Sequence, residues 1–465
     1  MNQSSMDERF SQDSIPRLIL RLSVPAIAAQ LVNALYNVVD RMYIARIPQV
    51  GDIALTGVGL AFPIIMVISA FAALIGYGGA PLASIRMGAG DKARAEQMMG
   101  NCFTMLVAVA LALTAVLWFT AQPLLQVFGA SPDTLPYAVE YLKIYLLGTL
   151  SVQISLGMNQ FLSAQGFAKT SMATVCLGAA LNIILDPVFI FVFDMGVAGA
   201  AWATILSQTA SAVWVLRFLI SGRGVLRLRL ACLRVQPRIA GAVLSLGLSP
   251  FIMQSTESLV QVTFNTSLQK YGGDAYVGAM VIMSSLMQFF MMPIQGFAQG
   301  SQPIISYNYG AGNYGRVKQA IRYMAGFCVA FATLLWAVMV FLPELPIRLF
   351  TDSPDLAALT ASVMPVYFFG MLIFGFQMAF QQAFIGLGQA KVSIFIAVLR
   401  KLILLIPLVL LLPRLITPST AGVFLAEPVA DITAAATCCV LFALKSRQLL
   451  GPQKKTPHRQ GPDPR

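Results

Sequence analysis

Four long stretches of this chain contain no Asp, Glu, Lys or Arg: Ile53 to Ile85, Gln97 to Pro132, Ala275 to Gly315 and Leu356 to Ala390. About 20 predominantly apolar residues, wound as a helix, cross the hydrocarbon core of a bilayer. Each stretch is long enough for one crossing and a turn. None shows the polar stripe that a surface helix of a soluble protein requires. Of the 465 residues, 57% are hydrophobic and 11% charged, against about 25% charged in an ordinary soluble domain. The sequence predicts an all-α integral membrane protein in contact with the lipid bilayer.

Apolar runs and their Pro and Gly punctuation place twelve transmembrane helices near 18–45, 53–78, 96–118, 136–160, 171–193, 197–219, 241–268, 276–302, 319–342, 359–384, 392–412 and 421–444. Residues 1–16 are polar and charged, unlike a signal peptide, so the first span is expected to persist in the mature protein. The net charge of +12 does not indicate nucleic acid, because the bases flank spans instead of forming one patch. One set of segments holds Arg9, Arg17, Arg21, Arg86, Lys92, Arg94 and Lys169, then the arginines from 217 to 238. The same set holds Arg316, Lys318, Arg322 and Lys391, and the tail with Lys445, Arg447, Lys454 and Lys455. The opposite loops have only Arg46, Lys270, Arg348, Arg414 and similar scattered bases. Because short basic loops stay inside, both termini and the central loop are expected in the cytoplasm of a cell whose plasma or inner membrane holds the chain.

The chain also repeats. At an offset of 222 residues Pro81 meets Pro303, Gly88-Ala89-Gly90 meets Gly310-Ala311-Gly312, and Arg94 meets Arg316. Further along, Ser131-Pro132-Asp133 meets Ser353-Pro354-Asp355, Gly148 meets Gly370, and Ala168-Lys169 meets Ala390-Lys391. A half of six spans enters and leaves on one side, so the copies run parallel, related by an axis along the membrane normal. The expected organisation is two six-helix lobes, 1–222 and 241–447, joined by a basic linker at 223–240 and followed by a polar tail at 448–465.

Four segments carry a family resemblance: Pro25 to Tyr43, Arg86-Met87-Gly88-Ala89-Gly90-Asp91, Leu181 to Pro187 with Gly196 to Ala201, and Gln302 to Ala311. In these the chain resembles the MATE family, the multidrug and toxic compound extrusion transporters. The resemblance implies export of bulky, often cationic compounds against a sodium or proton gradient, by alternating access between the two lobes.

An ionisable side chain inside a span is a functional candidate by default. Asp40 follows Asn33, Tyr36 and Asn37 on one face of the first helix, and Asn182 and Asp186 share a face of the fifth. Two carboxylates with amide and hydroxyl oxygens suit a hard cation such as Na+ or a shared proton. The MATE resemblance assigns the residues at Asp40, Asn182, Asp186 and Thr204 to a cation site in the N-terminal lobe. The competing reading pairs Asp40 with Arg41 or Arg46. Gln254, Glu257, Gln261 and Asn265 recur at steps of three and four on the seventh helix and are expected to line the cavity. The aspartate that completes a C-terminal-lobe cation site in some family members is replaced in the stretch around Gln377, which puts such a site in doubt. Glu427 and Asp431 stand four apart on the last helix, within reach either of a second cation or of Arg400 and Lys401 on the preceding one. The eighth helix is rich in methionine, with Met287 beside Gln288, and Met is common on adaptable surfaces. Tyr36, Asn37, Gln254, Glu257, Gln261, Met287 and Gln288 are thus the expected cavity residues.

No G-x-x-x-x-G-K-[ST] phosphate loop is present, so an ion gradient is the expected energy source. The single histidine, His458, and the scattered cysteines support neither a catalytic triad nor a metal cluster, so an enzyme is not expected. No cofactor is expected beyond the coupling ion, Na+ or H+, and the chain is expected to act as a monomer on small organic cations. The alternative is a lipid-linked precursor flippase or metabolite exporter of related architecture. A flippase would line its cavity with Arg and Lys to hold pyrophosphate, whereas the intramembrane charges of this sequence are mostly acidic.

Overall fold

The computed structural model describes residues 10–48, 50–351 and 353–451. Among them, eleven helices are long and apolar enough to cross a membrane. They are α1 (Ile15–Ala45), α2 (Gly51–Gly88), α3 (Lys92–Val127), α5 (Ala168–Val192), α6 (Gly196–Ile220), α7 (Pro237–Gly272), α8 (Asp274–Gly310), α9 (Tyr314–Phe341), α10 (Pro354–Gly386), α11 (Ala390–Leu415) and α12 (Ser419–Leu450). The twelfth crossing, α4, is made of two pieces, Leu135–Leu147 and Thr149–Ala164, separated at Gly148. It carries Glu140, Lys143, Gln153, Asn159 and Gln160, which make it more polar than its neighbours. All twelve spans stand where the sequence placed them, although α2, α3 and α8 run well beyond the expected spans 53–78, 96–118 and 276–302. The last helix continues to Leu450, so the first residues of the expected tail are helical. Residues Arg9, Lys454, Lys455 and His458 lie outside the described residues.

The repeat is a property of the packing as well as of the sequence. A Cβ on Gly88 would collide with the carbonyl of Tyr307, and a Cβ on Gly310 with the carbonyl of Ile85. Both pairs obey the 222-residue offset, so α2 and α8 cross at a self-complementary, glycine-tight contact about the pseudo-twofold axis. A Cβ on Gly148 would stand 2.6 Å from Ile205, and one on Gly370 would stand 2.8 Å from Pro428. The breaks in α4 and α10 thus serve the same purpose in each lobe. Each leaves room for residues of the sixth helix of its lobe, Ile205 in one and Pro428 with Asp431 in the other.

Among the described residues the close contacts between the lobes gather at one end. α1 packs on α8 and α2 on α7 in the halves of these helices nearest the termini. There Gly78 lies against Val243, Gly247 against Leu74, and Gly300 against Ser23. Ser23 Oγ donates to the carbonyl of Phe297 (3.1 Å) and Gln30 Nε2 to Gln299 Oε1 (3.1 Å). Phe71 meets Phe251 edge-on with ring centroids 5.0 Å apart. Arg316 and Asn308 hold the carbonyl of Phe10 from the other lobe. The buried apolar core is continuous across this end, whereas at the far end the N-terminal lobe has a core of its own, including Ile44, Tyr141 and Ala200. The molecule is sealed on the side of the termini and parted on the other.

The expected linker is ordered against the N-terminal lobe. Asn101, fully buried in α3, donates to the carbonyls of Cys232 and Arg234 and accepts from the backbone N–H of Gln236. Glu96 accepts from the N–H of Arg227 and pairs with Arg229.

Candidate functional site

The fifth helix of each lobe loses its regular winding at the candidate charges. In α5 the α-helix ends at Pro187 and a π-helical turn follows at Val188–Val192. Proline lacks the N–H that would bond one turn back, so the ladder must be re-closed with a wider turn. Asp186 sits directly before this irregularity, fully buried with Asn182. Asn182 Nδ2 donates to Asp186 Oδ1 (3.2 Å) and lies 3.4 Å from Thr204 Oγ1 on α6. The Asp40 carboxyl from α1 lies against that of Asp186, close enough for a side-chain hydrogen bond when the two share a proton. All four residues expected at this site are therefore brought together, from three helices.

Neither aspartate has an ion-pair partner among the described residues. Arg41, offered by the sequence as a competing partner, places its guanidinium over the ring of Phe62 instead, 4.9 Å from the centroid. Asp40 Oδ1, Asn182 Oδ1 and Asp186 Oδ2 are buried with no hydrogen-bond partner. Orphaned buried oxygens are rare because each carries a desolvation cost of about 1–3 kcal/mol. A convergent set of them is the donor set of a hard cation, or of a proton held between two carboxylates.

Tyr36 faces this cluster, close to both carboxyls. Two residues that the sequence did not single out join it from α4. The hydroxyl of Tyr141 shares a hydrogen bond with Thr204, and Tyr145 stacks beside Tyr141 at 6.3 Å. Both are buried. Their i, i+4 spacing in the least apolar span was the available signal. Asn37 instead turns to its own helix and donates to the carbonyl of Asn33.

The C-terminal lobe carries a second charged cluster of different composition. A π-helical turn at Leu399–Leu405 precedes Pro407 in α11 and contains Arg400 and Lys401. Arg400 binds Asp431 through Nε (2.7 Å) and Glu427 through its terminal nitrogen (2.9 Å), with its guanidinium 4.6 Å from the ring centre of Phe374. Lys401 Nζ binds Glu257 Oε2 at 2.6 Å. These three acids thus meet internal bases, and the two bases sit at membrane depth. That tempers the expectation of a mainly acidic interior, since of the five candidate acids Asp40 and Asp186 alone make no ion pair among the described residues. Gln377 is buried and makes no bond to Glu257 among the described residues.

Of the expected cavity residues, Gln261 donates to Ser284 of α8 (3.4 Å), Gln254 is half-buried and Gln288 is exposed. Met280, Met283 and Met291 are buried in the apolar core, and Met287 packs at its edge. Methionine on α8 therefore serves mainly to fill the C-terminal lobe.

Twelve membrane-crossing helices in two repeated lobes, parted at one end and holding buried acids, define a multi-pass membrane transporter. The chain belongs to the MatE family, whose model matches residues 25–188 and 250–411, once in each lobe. It is 25% identical over 443 residues to the multidrug export protein MepA of Staphylococcus aureus (strain MSSA476), covering 94% of this chain and 96% of that protein. The MepA of Staphylococcus haemolyticus (strain JCSC1435) is 25% identical over 442 residues, with the same coverage. Among solved structures, a MATE in the bent conformation matches with a TM-score of 0.89 at 23% identity, over 95% of this chain and 97% of that one. An outward-facing multidrug resistance MATE transporter matches with a TM-score of 0.87 at 23% identity, over 95% and 98%.

Proposed function

We propose that this chain is an antiporter of the plasma or inner membrane that exports bulky organic cations, driven by Na+ or H+ binding at Asp40, Asn182, Asp186 and Thr204. The observation that carries the reading is the Asp40–Asp186 pair, which makes no ion pair among the described residues and has buried oxygens without hydrogen-bond partners. Uncompensated carboxylates at membrane depth are costly to keep. A cation or proton that enters and leaves removes and restores that cost, which makes the site a switch.

With the basic termini in the cytoplasm, the sealed end faces inward and the parted end outward, so the conformation is the one that receives the coupling ion and releases cargo. Ion binding draws α1, α5 and α6 together around the pair. The lobes then re-pack, open inward and load the next cargo molecule. Such coupling requires that ion and cargo bind the two conformations with different affinities. The multidrug export relatives support the cargo class.

Ethidium efflux from vesicles under separately imposed sodium and proton gradients tests this. Asp40→Asn and Asp186→Asn are each expected to abolish gradient-driven export while the protein still inserts and elutes normally. Export that persists in both variants, or that ignores both gradients, would sink the coupling assignment and bring the related flippase or metabolite-exporter reading forward.

A further inference from the structure

The two lobes place different chemistry at equivalent positions. Gly199 of α6 lies against Phe189 of α5, and Gly422 of α12 lies against Leu412 of α11, each with a hypothetical Cβ 2.7 Å from the facing backbone. The offset is 223 residues for both partners, so Thr204 corresponds to Glu427. The N-terminal cluster must import its cation. The C-terminal cluster brings its own, in Arg400 and Lys401, and these two bases are not equivalent. Arg400 is 5% exposed and saturated by two carboxylates, with a bidentate-capable fork that holds them in place. Lys401 has a single carboxylate partner, and that partner is not buried: the Glu257 side chain is 64% exposed while that of Lys401 is 7% exposed.

Glu257 is the first residue of α7 after a break at Thr256, and so begins the half of that helix beyond the sealed interface, where Phe251 meets Phe71 of the opposite lobe. Lys401 engages Oε2 of Glu257, and the Glu257 side chain stays largely exposed despite that bond.

We infer that Lys401 is an internal counter-cation that competes with cargo for Glu257 and thereby sets how tightly this transporter holds an organic cation. The inference rests on the export reading above. The cluster sets three carboxyl groups against two bases, so it has one carboxyl more than its own bases can match, which a monovalent cationic cargo can pair with. The compact ammonium on its flexible stem can yield the carboxylate without disturbing Arg400 and its two acids. Lys401 is a positioning and specificity-setting residue and makes no contact with cargo itself.

Ethidium binding to the purified protein, followed by fluorescence, tests this. Lys401→Gln is expected to tighten binding on the order of tenfold, since a competing unit charge is removed from a partly desolvated site. Lys401→Arg, which keeps the charge, is expected not to tighten it. In the Glu257→Gln background, Lys401→Gln is expected to have no effect. A folded Lys401→Gln protein of wild-type or weaker affinity overturns the inference, and so does a gain that survives Glu257→Gln. A second measurement uses the wild type alone: acetylation of Lys401 by a small amine-reactive reagent, read by mass spectrometry, should rise when ethidium is bound. Unchanged labelling at saturating ethidium is equally fatal. A wild type that binds no ethidium at all overturns the cargo reading itself, which keeps the two failures apart.

Discussion

Gly247 on α7 faces Leu74 on α2 at the sealed end of the molecule. A methyl group there would overlap the carbonyl oxygen of Leu74 and stand 2.6 Å from its carbon, about 1 Å inside ordinary contact between carbons. The obstacle is backbone on both sides, so no side chain can rotate away, and α2 and α7 must separate. Overpacking of this kind costs about 1–3 kcal/mol. Here it falls on one conformation only, because the contact exists only while this end is sealed. A shift of 1–2 kcal/mol changes the ratio of two states by a factor of about 5–30. Gly247→Ala should therefore move the population toward the conformer that is open at the termini and closed at the far end. Spin labels at Asp133→Cys and Asp355→Cys, at equivalent exposed positions of the two lobes at the far end, read this as a shortened distance. The six native cysteines, all unpaired, are replaced in the background. Gly59→Ala supplies the control, because nothing lies within 4 Å of that position. A distance distribution in Gly247→Ala that matches wild type and the Gly59 control would show that the glycine seal does not set the conformational balance.

Two further predictions concern the parts that hold the lobes in shape. Arg400→Met leaves Glu427 and Asp431 buried without their base, a loss of about 3–5 kcal/mol, expected as a marked fall in melting temperature in detergent. Adding Glu427→Gln and Asp431→Asn should recover most of it, and a single variant as stable as wild type refutes the pairing. Asn101→Ala strands the carbonyls of Cys232 and Arg234 and the N–H of Gln236. Trypsin should then cut the linker at its arginines at least about tenfold faster, because local opening sets access; an unchanged cleavage rate argues against the clamp.

The number of spans, their positions and the duplication were determined by the sequence alone. Bilayer thickness sets a length that apolar runs must meet, and loop charge and Pro or Gly punctuation are local features that need no neighbour to interpret. The pairing of the intramembrane charges was not. Asn182 with Asp186 and Glu427 with Asp431 are the same i, i+4 pattern on a helix, and periodicity assigns each pair a face but not what that face meets. Packing sends the first to Asp40, with no ion pair among the described residues, and the second to Arg400. Glu257 and Lys401 lie on helices separated by more than half a lobe of chain, and Tyr141 reaches the candidate site beside Gly148, where α4 and α6 pack closely. The π turns that aim Asp186 and Arg400 arise where a proline meets tertiary contacts, so a proline in the sequence marks the place without specifying the winding. Which end of the cleft is sealed was likewise decided in three dimensions, by glycines whose role appears only when the facing backbone is in place.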